Sequence, residues 1–174
     1  MDDARLVVLR DIYSGAKASD PRWPVVEAEL GLALPGSYKV LVERFGASSW
    51  QDFLHVLSPF DERSWRRVAA TLDADRVSRR EFPQHYPLPL YPESGGLLPW
   101  AVTDNGDTLY FVTAGPPDEW PTLIRGPRAP EFEVSFLPPA LLVHHFAEGR
   151  FQSVILPGTA PDAEPGAAAD GGGM

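Results

Sequence analysis

The chain has 174 residues, 44% hydrophobic and 22% charged, which suits one globular domain whose core is large enough to need no disulfide or metal staple. It has no cysteine, which excludes disulfides, thiolate metal centres and a cysteine nucleophile, and its formal net charge of −9 argues against a nucleic-acid binder built on a basic face. No apolar run reaches the roughly 20 residues that cross a bilayer, and Met1-Asp2-Asp3-Ala4-Arg5 opens acidic where a secretory signal would be basic, so the expected location is cytoplasmic.

Leu6, Leu9 and Ile12 are spaced as one helical face and predict a first helix within residues 4–18, ending near Gly15. Residues 23–32 predict a second helix, with Trp23 just outside it, Pro24 in its first turn and Gly31 as its stop. A third is expected over 37–45, with Ser37 as the candidate N-cap and Tyr38, Leu41, Val42 and Phe45 on its apolar stripe. Residues 50–57 fit a strand or an irregular edge segment. Asp61 to about Arg80 predicts a longer helix that buries Trp65, Val68, Leu72 and Val77, with acids at its start and arginines at its end to suit the helix dipole.

The proline-rich stretch 82–99 predicts a loop, with a short strand as the alternative within it. Two β-like runs, LPWAVT and TLYFVT, flank Asp104-Asn105-Gly106-Asp107, and Asn-Gly is the preferred pair for a type I′ hairpin. Further strands are expected at Thr122–Arg125 and Phe132–Phe136. In the second of these, Phe132, Val134 and Phe136 alternate with polar residues, as in a half-buried antiparallel strand. Pro138-Pro139 opens a last helix, closed by Gly149. The predicted fold is a single α+β domain over 1–156, an antiparallel-rich sheet flanked by helices. Residues 157–174 lack the apolar content to order themselves and are expected to form a disordered tail.

The order of these features resembles the SUKH superfamily. The resemblance rests on Trp23-x-x-x-Glu27-x-x-Leu30-Gly31-x-x-Leu34-Pro35-x-x-Tyr38-x-x-Leu41 running to Gly46, then Trp100 before a hairpin, the Asp104–Asp107 turn and Pro117-Asp118-Glu119-Trp120 before another strand. It spans roughly residues 20–150. That superfamily includes fungal cell-wall-synthesis regulators and many bacterial immunity proteins. The resemblance therefore implies a non-enzymatic protein-binding domain, with a toxin as the partner of an immunity protein or an endogenous protein as the partner of a regulatory module.

No hydrolase elbow, P-loop or dinucleotide-binding motif is present, and no catalytic, cofactor or metal residue is assigned. His144 and His145 are adjacent, so a helix points them about 100° apart, and they read as ordinary helix residues. The Asp104–Asp107 turn lacks the spacing of a calcium loop. Trp23, Trp65 and Trp100 read as core. Trp50 and Trp120 lie in or beside polar loops. Trp120 next to Asp118 and Glu119 joins an aromatic anchor to negative charge, a mixture favoured at interfaces. The expected partner-binding residues are Asp104, Asp107, Asp118, Glu119 and Trp120, facing a basic protein that opposite charge would steer, although moderate acidity also serves solubility alone.

Overall fold

Helices form where apolar spacing demanded them. The computed structural model describes residues 3–128 and 131–157; Met1, Asp2 and the expected tail beyond Pro157 lie outside the described residues. Helix α1 (Asp3–Tyr13) buries Leu9 and Ile12. Helix α2 (Trp23–Leu30) takes Trp23 as its first residue, and Gly31 ends it at φ 73°, donating its N–H to the Glu27 carbonyl. The left-handed turn this requires is one that glycine adopts without strain.

Helix α3 (Gly36–Phe45) buries Tyr38, Val40, Leu41 and Val42. Ser37 does not cap it: Pro35 holds the cap position, and the Gly36 N–H is satisfied from elsewhere by the Asp118 carboxylate at 2.7 Å. A proline has no side-chain acceptor for the first turn, so the acceptor comes from a distant loop. Helix α4 (Glu62–Glu81) starts at Asp61, whose Oδ1 accepts from the Ser64 N–H. Val68 and Leu72 are buried as expected and Trp65 is half-buried, but Val77 is exposed; Asp75 is the last buried position of that face. Helix α5 (Pro139–Ala147) is buried on nearly every side, as its apolar sequence requires.

Six strands form one antiparallel sheet in sequence order: β1 (Ser48–Trp50), β2 (Leu54–Val56), β3 (Leu97–Thr103), β4 (Thr108–Val112), β5 (Thr122–Arg125) and β6 (Phe132–Ser135). The segment 50–57 is thus part of a tight hairpin. Its turn residues Gln51 and Asp52 both have positive φ, 54° and 49°, without a glycine to signal it. The β3–β4 turn is not type I′. Only Gly106 has positive φ there, the Gly106 N–H donates to Thr103 O at 3.1 Å and the Thr103 N–H to Asp107 O at 3.0 Å, the pattern of a type I turn with a glycine bulge. A register shift between Pro99 and Ala101 interrupts β3, which explains how a central strand tolerates a proline that cannot donate to the ladder.

One face of the sheet carries the main core under α1, α3 and α5. Tyr38 stands edge-on to Phe111 at 5.3 Å between ring centroids, with Trp100 stacked on Phe111 at 5.4 Å. The other face is crossed by α4 and by the 82–96 segment, over a smaller cluster of Tyr86, Leu90, Leu97, Tyr110 and Leu123. Strand β6 alternates as predicted but with the opposite facing: Phe132, Val134 and the following Phe136 are exposed, while Glu133 and Ser135 turn inward. The cause is position. By cross-strand register Val134 and Phe132 share the α4 face with Leu123 and Arg125, where the buried cluster ends at β5. Glu133 is kept inward by the Ser153 hydroxyl and the Val154 N–H.

Candidate functional site

The residues of the family-like opening turn out to hold the scaffold. Trp23 donates its indole N–H to Glu43 Oε1 at 2.8 Å, and the same oxygen accepts from the Ser19 and Asp20 amides. Glu27 Oε1 accepts from the Leu34 N–H and from Lys39 Nζ, each at 2.9 Å. The buried Tyr38 hydroxyl donates to Leu57 O at 2.6 Å, tying α3 to the end of β2. These bonds, side chain to backbone and side chain to side chain, orient the helices and the turns between them.

The five residues singled out for a partner fall at two ends of the sheet. Asp104 and Asp107 precede β4; Asp118, Glu119 and Trp120 follow it, so a five-residue strand, about 17 Å long, separates the groups. Asp104 is exposed, with Oδ1 2.7 Å from His55 Nε2. The neighbouring turn adds the exposed Asp52, because the Asp104 N–H donates to Phe53 O. Asp107 is buried; its carboxylate accepts from the Thr103 hydroxyl at 2.6 Å and fixes the turn.

At the other end Asp118 and Glu119 are exposed on a one-turn 3-10 helix, Pro117–Glu119. Trp120 is only 6% exposed: its N–H donates to Gly115 O at 2.9 Å and its ring packs on Phe111. Trp120 and Asp118 line an open concavity of about 470 Å³, with Tyr13, Pro35, Lys17 and Pro138 among its other walls. The structure therefore joins Asp118 to Trp120 but keeps both apart from Asp104. Trp50, read from sequence as loop-borne, is fully buried in the main core.

Two buried polar clusters escaped sequence reading. Asp75 of α4 accepts from Tyr86 Oη at 3.0 Å, Tyr110 Oη at 2.7 Å and Arg125 Nη1 at 3.0 Å. The Arg125 guanidinium lies over the Tyr86 ring, 4.1 Å from its centroid. Burial is the main reason both phenols are pushed above their ordinary range, and the Asp75 carboxylate adds to it. The cluster joins α4 to the sheet; an aspartate inside an otherwise polar stretch of helix gave no signal of it.

The second cluster is His144. Its Nδ1 lies 3.0 Å from Tyr13 Oη, and its Nε2 is 3.2 Å from Glu148 Oε1, but that atom lacks a directed hydrogen bond, so the second contact is chiefly electrostatic. Burial holds the imidazole below its ordinary pKa, Arg10 and Arg150 push the same way, and Glu148 opposes them. His144 is buried and His145 half-buried, with ring centroids 6.4 Å apart, and the acid beside His144 sits four residues on.

Among the described residues no group of three or more histidine, aspartate or glutamate side chains could hold a metal ion, and no helix is long and apolar enough to cross a membrane. The family model described as SUKH_6, SMI1-KNR4 cell-wall, matches residues 22–134, more than half of the chain, from the start of α2 into β6. No curated protein and no solved structure matches the chain.

Proposed function

Because the chain belongs to the SMI1-KNR4 (SUKH) family, we propose that it is a non-enzymatic protein-binding domain that acts as an immunity protein, blocking a bacterial toxin by direct contact. The family match over residues 22–134 carries this reading. The disposition of the polar groups supports it. Asp75, Asp107, Glu27, Glu43 and His144 are engaged in holding elements together, while the carboxylates Asp52, Asp104, Asp118 and Glu119 stay exposed at the two ends of β4. Such a surface suits a basic partner, for instance a nuclease domain with a cationic cleft, through steered association and steric occlusion.

The contact residues we assign are Asp104, Asp118 and Glu119, with Asp107 and Trp120 holding the turns that present them. Asp118 also caps α3, so charge reversal there disturbs the scaffold as well. Asp104→Lys and Glu119→Lys are the cleaner probes.

The test is co-expression of the full chain with a toxin domain encoded beside it. Growth rescue and co-purification, both weakened by Asp104→Lys or Glu119→Lys, are the expected results. Absence of both rescue and co-purification would count against immunity. The cell-wall description of the matching family favours a second reading, a regulatory module with an endogenous protein partner. Capture of such a partner together with absence of toxin rescue would select it.

A further inference from the structure

Among the described residues, strand β6 leaves an apolar stripe uncovered at the edge of the sheet: Phe132 and Val134 are each 46% exposed and Phe136 is 83% exposed. Edge strands present unpaired backbone groups, and proteins usually blunt them with outward charge, bulges or cover. The charged member of this strand, Glu133, is turned to the main-core face and bonded there, so the exposed side of the strand keeps its aromatic and aliphatic groups.

The backbone direction follows from the ladder. The Gly126 N–H donates to Glu131 O at 3.2 Å, one step beyond the recorded β5–β6 register. Hydrogen-bonded pairs alternate along an antiparallel ladder, so residues 133 and 135 direct their amides and carbonyls to β5. Those of Phe132 and Val134 point to the open edge.

We propose that this edge pairs with the same edge of a second copy of the chain, antiparallel about a two-fold axis at Val134. The stripe Phe132-x-Val134-x-Phe136 reads the same in both directions, the self-complementarity an isologous contact requires. In this register Val134 meets its own counterpart and Phe132 meets the partner's Phe136, with the outward amides and carbonyls of Val134 exchanged between copies. Charge selects the register. Centring on Val134 sets Glu133 opposite the partner's Ser135, whereas centring on Glu133 would oppose two carboxylates directly, which is destabilising. A strand from an unrelated protein would need no such symmetry. One strand pair is a small interface, so the dimer is weak and reversible, half formed on the order of 100 µM. The inference stands apart from the binding role above.

Sedimentation equilibrium of the full chain from about 10 µM to 1 mM tests it. The mass of the native chain should rise towards that of two chains with concentration. Val134→Pro removes an outward N–H that the β5 ladder does not use, as an edge strand tolerates, and should hold the mass at one chain. Phe136→Lys should do the same at a position too exposed to matter for folding, and it decides the matter if the proline variant misfolds. A native chain that stays at one-chain mass throughout overturns the proposal, even if the edge accepts a strand from another protein. A concentration-dependent doubling that survives in both variants overturns it too.

Discussion

Removing the Asp75 carboxylate leaves the Arg125 guanidinium buried against Tyr86 without its ion partner, and leaves the Tyr86 and Tyr110 hydroxyls without an acceptor. Breaking a buried pair from one side is costly because the orphaned charge stays desolvated. Asp75→Ala should therefore lower stability by about 3 kcal/mol. Tyr110→Phe removes one bond and should cost about 1 kcal/mol. Urea unfolding followed by tryptophan fluorescence measures both, and equal losses from the two changes would refute the shared-cluster account. His144 gives a second residue-scale prediction. Its burial lowers its folded-state pKa beneath the ordinary 6.5, so below that value the unfolded chain binds more protons. Stability must then fall as pH drops beneath about 6.5. Glu148 adds to the loss at lower pH: desolvation raises its pKa, but Arg150, His144 and Arg10 together hold it below the ordinary carboxylate value. His144→Gln keeps a polar group beside Tyr13 and Glu148 without titrating, and should flatten the dependence of Tm on pH between about 5 and 7. An unchanged slope would place the acid sensitivity elsewhere.

Among the elements, the tightest constraint is Gly96, just before β3. A Cβ there would stand 2.5 Å from Leu90 C and Tyr91 N and 2.7 Å from Glu93 O, all backbone atoms that cannot swing aside. Gly96→Ala should cost about 3 kcal/mol and loosen the 82–96 segment over Tyr110 and Leu123, which hydrogen exchange of the β4 amides would report. Proline density at 82–99 announced a loop but not this close approach, because proximity of chain segments leaves no local pattern. The helices were legible because their signals are local: Leu9 and Ile12 in α1, Tyr38 and Leu41 in α3, Gly31 as a stop. The β1–β2 hairpin was obscured because Gln51 and Asp52 adopt positive φ without glycine. In β6 the alternation fixed the period but not the facing, since what covers each face of an edge strand is decided by tertiary contacts. The candidate contact residues divide in the same way. Asp104, Asp118 and Glu119 are exposed as charge suggested, while Trp120 and Asp107 are buried and bonded within their own turns, to Gly115 O and the Thr103 hydroxyl.

At the scale of the whole molecule, a net charge of −9 acts oppositely on the two associations proposed. It draws a basic partner inward and pushes a second copy away, and both effects are screened as the Debye length shrinks from about 10 Å at 0.1 M salt to 3 Å at 1 M. Raising salt from about 0.05 to 0.5 M should slow capture of a basic toxin domain on the order of tenfold, with little change in dissociation rate. The same change should tighten β6 pairing several-fold, because its contacts are apolar side chains and backbone bonds with no ion pair to weaken. Stopped-flow association and sedimentation at the two salt levels read these out separately. A capture rate indifferent to salt would mean that the acidic surface does not steer the partner. Self-association that weakens with salt would mean that ionic contacts, rather than the Phe132-Val134-Phe136 stripe, hold the copies together.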